Sequence, residues 1–347
     1  MRAPARVGIV ERVASQRAAR RLVRVALALP LTAGGCAWDV AQSTVVARSD
    51  FARAILEVYT VVLWATVGIA LVVAGVLAWV LVRYRHRPGA PPPRPVRGHT
   101  GLEIAWTLAP ALVLLVIAVP TVRVIFATQR PAPPDALEVV VRGWQWWWEF
   151  RYPALGITTA NELHLPAGRP VTLRLEGEDV IHSFWVPQLG GKRDVIPGRV
   201  NRLTWTPEAP GEYWGQCAEF CGASHANMRL RVIVEPPEAF ARWVAAQQAP
   251  PVEVAEGRAA EGRALYARSA CVGCHTIRGV SAGTLGPDLT HVGSRRTLAA
   301  GLLPNTREAL IAWLRDPPAL KPGAKMPRLG LSDAEAAALA EYLLSLK

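Results

Sequence analysis

The chain has 347 residues, 51% of them hydrophobic, and a formal net charge of +12. Its mean hydropathy of +0.19 indicates membrane-spanning segments. The positive charge is concentrated in residues 1–130, which hold sixteen arginines and five acidic residues. Because no basic face belongs to a soluble domain with a recognised nucleic-acid motif, the composition argues against a nucleic-acid partner.

The N-terminal segment, residues 1–36, has the pattern of an export signal. Residues 1–24 contain seven arginines, and a short apolar run then ends in Ala-Gly-Gly immediately before Cys36. This order of basic region, apolar run and small residues is typical of a signal peptide. Two fates stay open for Cys36: lipidation, as in a bacterial lipoprotein, or ordinary cleavage nearby that leaves an unused thiol.

Two apolar runs predict a transmembrane hairpin within residues 37–130. Thr60 to Val82 gives 23 consecutive uncharged residues, and Ile104 to Val122 gives 19. About 20 such residues cross the hydrocarbon core of a bilayer as a helix, so spans are predicted over about residues 56–82 and 104–126. The alternative, two buried helices of a soluble core, is disfavoured by these lengths.

The connection between the two runs is basic and rich in proline. Its arginines are Arg83, Arg85, Arg87, Arg94 and Arg97. The positive-inside rule places such a loop in the cytoplasm, so the domains that follow lie on the outer side. The sequence therefore predicts a multi-pass protein of the bacterial inner membrane whose soluble domains face the periplasm.

The pattern changes over residues 131–247 to short apolar runs separated by turn signals. The runs are Leu137–Val141, Val171–Leu175, Val180–Val186, Leu203–Thr206 and Leu230–Val234. Several strands at such spacing predict an all-β sandwich or barrel. A frame of this kind could hold a ligand-bearing loop rigidly.

The same region carries a cluster of soft metal donors. Cys217, Cys221, His225 and Met228 fall within twelve residues, and His182 lies 35 residues before Cys217. Thiolates and imidazoles with a weak thioether are typical of electron-transfer copper sites. Two alternatives stay open: a structural zinc site, which would give Met228 no task, and a disulfide between the two cysteines without a metal.

A second redox motif follows a linker predicted at residues 248–255. Cys271, Cys274 and His275 form Cys-x-x-Cys-His, the attachment signature of a c-type haem. Met326 is the only methionine downstream and is the candidate sixth ligand. Such Met/His ligation raises the potential of a haem and suits an electron acceptor.

The copper motif, Cys-x-Glu-x-Cys-x3-His-x2-Met with an upstream His-Ser-Phe-Trp-Val-Pro segment, resembles subunit II of haem-copper cytochrome c oxidases over roughly residues 50–245. The resemblance implies a cupredoxin-like domain with a binuclear copper A centre, in which both cysteines bridge the coppers and each histidine binds one. The implied ligands are His182, Cys217, the backbone carbonyl of Glu219, Cys221, His225 and Met228. The side chain of Glu219 would also help to bind magnesium at the boundary with subunit I.

Two further roles are implied by the same resemblance. In the family's Gln-Trp-aromatic-Trp segment, the first tryptophan is the surface entry point for electrons from cytochrome c, and it corresponds to Trp146. In the family's Glu-x-x-Trp-Thr segment, the glutamate lies at the mouth of a proton pathway into subunit I, and it corresponds to Glu103. A carboxylate at a helix end can also be merely interfacial.

Residues 256–347 resemble class I cytochromes c, which implies an all-α domain. Helices are expected around Val254–Ala270 and Asp333–Ser345, and the carbonyl of Pro287 is expected to orient the imidazole of His275. With the copper domain, this suggests subunit II of a caa3-type cytochrome c oxidase, an electron-input subunit that contains no oxygen-reduction site of its own. The implied partners are subunit I, subunit III and an external cytochrome c or similar carrier.

Three other functions fit the sequence less well than that of an oxidase subunit II. Nitrous oxide reductase also carries a copper A motif, but as a soluble enzyme it needs neither the two spans nor Glu103. A copper carrier for oxidase assembly would have no need of a haem site in series. Quinol oxidase subunits lack the copper ligands that are intact in this sequence.

Overall fold

The computed structural model describes residues 39–89, 91, 95, 98–252 and 254–347. The predicted signal segment with Cys36, and the loop residues Arg94 and Arg97, lie outside the described residues. Residues Ala41–Lys347 form one compact unit.

Two long helices, α1 (Asp50–Arg83) and α2 (Thr100–Thr128), correspond to the predicted hairpin. Both are long and apolar enough to span a membrane, with mean hydropathies of 2.5 and 2.3 in their most apolar windows. The first helix begins earlier than expected because Ser49 caps it: the Ser49 hydroxyl accepts a hydrogen bond from the amide of Ala52 at 3.0 Å. The same hydroxyl donates to the carbonyl of Leu189 at 2.5 Å, which ties the start of α1 to the β-domain.

Residues 137–235, all of which are described, contain ten strands in two sheets. The strands are β1 (Leu137–Trp144), β2 (Trp147–Tyr152), β3 (Ile157–Ala160), β4 (Glu162–Pro166), β5 (Val171–Gly177), β6 (His182–Trp185), β7 (Arg193–Val195), β8 (Asn201–Trp205), β9 (Gly211–Cys217) and β10 (Arg229–Glu235). One sheet has the order β3-β2-β1-β5-β8 and the other β4-β10-β9-β6-β7. Their inner faces share one hydrophobic core, so the predicted cupredoxin-like β-sandwich is confirmed.

Large aromatic side chains fill the sandwich next to strand β6. Trp148, Phe184 and Trp205 are each 0% exposed, and the rings of Trp148 and Phe184 meet edge to face with centroids 5.4 Å apart. Complete burial of one such side chain contributes about 1.5–3 kcal/mol. Because Phe184 and His182 belong to the same short strand, this packing also fixes the backbone that carries His182.

The C-terminal region is mainly helical, as expected for a cytochrome c domain. Its helices are α3 (Pro237–Gln248), which closes the β-domain, and then α4 (Gly257–Arg268), α5 (Cys271–Cys274), α6 (Arg307–Arg315), α7 (Pro317–Leu320) and α8 (Asp333–Ser345). Two pairs of two-residue strands, which the sequence did not predict, lie between them: β11 (Thr276–Ile277) with β12 (Ser281–Ala282), and β13 (Thr297–Leu298) with β14 (Leu303–Pro304).

The two predicted helices of this domain have well-defined starts. Helix α8 has the predicted bounds, because Ser332 and Glu335 form a reciprocal capping box at its N-terminus. Helix α4 starts later than predicted, at Gly257. Because the φ of 75° at this glycine is left-handed, the helix does not extend back towards residue 254. The helix expected from residue 254 is therefore shorter at its beginning.

Helices α4 and α8 approach each other most closely at Gly262. A Cβ added to Gly262 would lie 2.0 Å from the carbonyl oxygen of Ala338 and 2.9 Å from the Cβ of Tyr342. The first of these contacts is with backbone and cannot be relieved by a side-chain rotation. Glycine at this position is therefore a requirement of the helix crossing.

We expect Gly262→Ala to destabilise the C-terminal domain by about 1–3 kcal/mol, since overpacking would force α4 and α8 apart. Urea unfolding of the full chain in detergent, followed by circular dichroism, measures the change. The control is Glu261→Ala, at the exposed neighbouring position, where stability should change little. Equal unfolding midpoints for the two variants would contradict the close helix crossing.

Candidate functional site

The copper-motif residues lie on a loop that closes between two paired strands. Strand β9 ends at Cys217 and β10 follows Met228, and the amide of Cys217 donates to the carbonyl of Met228 at 2.9 Å. Strand β6 lies on the other side of β9 and brings His182 beside the loop. The amide of Ala218 donates to the carbonyl of Ser183 at 2.9 Å, which joins the loop to β6.

The predicted metal donors converge. The Sγ atoms of Cys217 and Cys221 are 3.8 Å apart, and Cys217 Sγ lies 4.0 Å from His182 Nδ1. Cys221 Sγ lies 3.5 Å from His225 Nδ1 and 3.9 Å from Met228 Sδ. The carbonyl oxygen of Glu219 is 3.2 Å from Cys217 Sγ.

This geometry fits a metal site better than the alternatives. The two sulfur atoms are far beyond the S–S bond length of about 2.05 Å, so the cysteines are free thiols. A separation of 3.8 Å is what two thiolates about 2.3 Å from one metal ion adopt at a tetrahedral angle. Met228 is 0% exposed and faces the cluster, and its thioether favours copper over zinc.

Hydrogen bonding between the two cysteines favours the thiolate form of one of them. The pKa of Cys217 is lowered to about 4, because Cys221 acts as a hydrogen-bond donor to its sulfur and outweighs the effect of burial. The same pairing raises the pKa of Cys221. Burial alone would lower the pKa of His182, but its hydrogen bonds with Asp179 and Cys217 raise it.

Asp179 is a residue of this site that the sequence analysis did not identify. Its Oδ1 lies 2.9 Å from Nε2 of His182, so the carboxylate holds the imidazole with Nδ1 turned towards the cysteines. Burial would raise the pKa of Asp179, but hydrogen bonds from His182, the amides of Gln145 and Val180, and Lys325 hold it well below its usual range. A carboxylate three residues before a metal-binding histidine was the available signal, since such carboxylates commonly orient the ligand.

Trp146 is in direct contact with the metal loop. Its indole Nε1 donates to the carbonyl of Cys221 at 2.9 Å, and the side-chain amide of Gln145 donates to the same oxygen at 2.8 Å. The family resemblance implies a surface position for Trp146, but the residue is buried, at 8% exposure. A Cβ added to Gly323, in the C-terminal domain, would lie 2.7 Å from its ring, so that domain covers the indole.

The carbonyl of Pro287 lies beside the imidazole of His275, as the sequence predicts. Cys271 and Cys274 lie on the single turn of α5, and His275 follows it. Nδ1 of His275 lies 2.8 Å from the carbonyl oxygen of Pro287, so a proton on Nδ1 leaves Nε2 available for iron. Burial lowers the pKa of His275, which favours the neutral imidazole that binds a metal. Met326 packs against the same hydrophobic cluster as Cys271.

The two glutamates assigned by resemblance occupy different places. Glu103 lies in the first turn of α2, at the loop end of the helical hairpin. Glu219 has an exposed side chain beside Phe220, which is 77% exposed. Among the residues that the structure describes, neither carboxylate has a hydrogen bond or an ion pair with another side chain.

We expect Asp179→Asn to weaken copper binding by roughly 10–100-fold, because the carboxylate that orients His182 is lost. The matched control is Glu178→Gln, since that neighbouring carboxylate lies 3.2 Å from Arg142 and pairs with it. Competition with a copper chelator on the full chain in detergent measures both affinities. An unchanged affinity in Asp179→Asn would remove Asp179 from the site.

Family models match three consecutive parts of the chain. The transmembrane domain of cytochrome c oxidase subunit II matches residues 38–124, its periplasmic domain matches residues 155–235, and cytochrome c matches residues 259–347. Each match falls on one of the regions described above: the helical hairpin, the β-sandwich and the helical C-terminal domain.

Curated relatives cover most of the chain. Cytochrome c oxidase subunit 2 of Alkalihalophilus pseudofirmus is 38% identical over 286 residues, which cover 80% of this chain and 83% of the relative. The subunit 2 of Bacillus subtilis is 36% identical over 293 residues, covering 78% and 82%. Quinol oxidase subunit 2 of Bacillus cereus is 31% identical over 230 residues, covering 63% and 76%. The chain belongs to the cytochrome c oxidase subunit II family and carries a C-terminal cytochrome c domain.

Proposed function

We propose that this chain is the electron-input subunit of a proton-pumping, caa3-type cytochrome c oxidase. The C-terminal domain would hold a covalent haem that accepts electrons from an external cytochrome c-type donor. The copper domain would hold the binuclear copper A that passes them to haem in subunit I, where oxygen is reduced to water. The observation that supports this proposal is a contact between the segments that carry the two donor sets. The indole that is hydrogen-bonded to the copper loop is packed against the segment that bears Met326.

The copper domain contributes rigidity and exclusion of water. When bound, a copper pair shared by two thiolates takes up and releases one electron with little change in geometry. Cys217, Cys221 and Met228 are each at most 4% exposed, and His182 is held by Asp179. Burial and the bond to Asp179 therefore hold these four donors in place independently of a metal. His225 and the carbonyl of Glu219 complete the proposed copper ligands.

The haem domain contributes an oriented axial ligand. His275 is held at its ring and at its backbone. Nδ1 contacts the carbonyl oxygen of Pro287, and the backbone carbonyl of His275 accepts hydrogen bonds from the hydroxyls of Tyr266 and Ser281. Cys271 and Cys274 would form the thioether links, and Met326 would supply the sixth ligand. Histidine and methionine together favour a high potential suited to accepting electrons from a carrier.

The exposed tip of the copper loop is proposed to face subunit I. Phe220 is a large apolar side chain at 77% exposure, and Glu219 stands exposed beside it. An oxygen ligand of this kind suits magnesium, so Glu219 would share such an ion with ligands from subunit I. Glu103, at the loop end of α2, would stand at the mouth of a proton pathway in subunit I, and subunit III would complete the complex.

The proposed location is the bacterial inner membrane, with residues 131–347 on the periplasmic side. The β-domain lies at the N-terminal end of α1, through the bond from Ser49 to Leu189, and follows the C-terminal end of α2. The arginine-bearing connection lies at the opposite ends of both helices. The positive-inside rule then assigns that connection to the cytoplasm.

We expect the full chain, purified in detergent without subunit I, to contain two copper ions and one covalent haem. Its copper signal in electron paramagnetic resonance should show seven lines, because one electron is shared by two equivalent copper nuclei. Cys221→Ser should abolish that signal and leave the haem. Met228→Leu should retain copper with an altered potential, since an axial thioether is a weak ligand that tunes it.

The outcome that contradicts this proposal is specific. One zinc ion and no copper in the wild-type chain would leave a structural metal site, and a seven-line signal unchanged in Cys221→Ser would remove that cysteine from the ligands.

Loss of haem in Cys271→Ala with copper retained would show that the two sites load independently.

A further inference from the structure

The segment Lys321–Met326, here called the Met326 loop, belongs to the haem domain but lies on the copper domain. Ser224, beside the copper ligand His225, donates from its hydroxyl to the carbonyl of Pro322 at 2.6 Å. Gly323 has a φ of 79° and allows the backbone to touch the ring of Trp146, where a Cβ would come within 2.7 Å. The candidate haem ligand is thus carried by a segment attached to the metal loop.

Lys321 joins the two domains from a buried position. It is 4% exposed, and its Nζ donates to the carbonyl of Trp146 at 2.6 Å and to the carbonyl of Ala299 at 2.9 Å. The first acceptor belongs to the copper domain and the second to the haem domain. Burial lowers the pKa of Lys321 to about 7, and these two oxygens compensate for removing its amine from water.

A second lysine of the same loop occupies the rim of this contact. Lys325 Nζ lies 3.1 Å from Oδ2 of Asp179, whose other oxygen orients His182. The Lys325 side chain is 61% exposed, and exposed ion pairs contribute little to stability. Of the two lysines, Lys321 is therefore the one whose contact can fix the position of the loop.

We propose that Lys321 is a positioning residue for electron transfer between the two redox sites. It fixes the Met326 loop on Trp146 and thereby holds the segment that carries the candidate haem ligand in one position on the copper domain. This rests on the proposed function. With the loop in place Trp146 is 8% exposed, so an external carrier meets the haem domain and not this indole.

The first experiment compares the wild-type complex with Lys321→Met, which keeps the length of the side chain and removes its amine. Hydrogen exchange of the peptide covering residues 321–326 should become about ten-fold faster. The reason is that the amine of Lys321 no longer ties this loop to the carbonyl oxygens of Trp146 and Ala299. Electron transfer from photoreduced haem to copper should slow and become dependent on solvent viscosity, whereas the wild-type rate should not depend on it. The haem and copper spectra should stay unchanged.

The control is Arg242→Met, which removes an exposed cation of α3 away from the loop and should match the wild type in both measurements. Lys325→Met should have a smaller effect than Lys321→Met. Unchanged exchange and an unchanged, viscosity-independent rate in Lys321→Met would overturn the proposal for Lys321 alone. Absence of any haem-to-copper transfer in the wild type would instead overturn the proposed function.

A second experiment needs no variant. The chain contains four lysines, Lys192, Lys321, Lys325 and Lys347, and brief acetylation of the native complex distinguishes buried from exposed amines. Lys325, whose side chain is 61% exposed, should be acetylated. Lys321, which is 4% exposed, should be acetylated at least about ten-fold more slowly, because its two buried hydrogen bonds must break first. Equal labelling of the two lysines would show that the loop is not docked and would overturn the proposal.

Discussion

The hydrogen bond from the amide of Cys217 to the carbonyl of Met228 closes the metal loop, and the rest of the site depends on it. Thiols and thioethers form only weak hydrogen bonds with one another, so the rest of the protein must impose the positions of these donors. The β9–β10 ladder brings the two ends of the loop together, and the buried aromatic core beside β6 holds His182. The β-sandwich therefore fixes the position of the loop between Cys217 and Met228.

The carbonyl of Cys221 connects that loop to the second redox domain. It accepts hydrogen bonds from the indole of Trp146 and the amide of Gln145. The backbone carbonyl of Trp146 in turn accepts from Lys321. A continuous series of buried contacts therefore runs from the metal loop into the C-terminal domain, through groups that water would otherwise have to satisfy.

A second patch fixes the same pair of domains at a distance from the metal loop. Glu162, in β4, is 2% exposed and accepts hydrogen bonds from the amides of Arg296 and Thr297 and from the Thr297 hydroxyl. Such a buried carboxylate is stable only because these donors compensate for its desolvation. The interface thus has two anchoring points, which is more than a flexible tether provides.

The sequence determined the candidate donors of both sites, the two spans and the classes of the domains. Cys-x-x-Cys-His and the Cys217–Met228 motif are local, so their spacing alone specifies which donors can converge, and long apolar runs specify helices without reference to other parts of the chain. The late start of α4 at Gly257 and the short strand pairs of the haem domain depend on individual backbone conformations, which apolar periodicity does not reveal.

Only the tertiary structure decided the contacts of Asp179, Lys321 and Lys325 and the covering of Trp146. Lys321 and Trp146 are 175 residues apart in the sequence, and a lysine in a proline- and glycine-containing loop gives no local sign of burial. Its partner is a backbone carbonyl, which every residue possesses, so no pattern of side chains marks it. Such a contact is fixed by how two folded domains fit together.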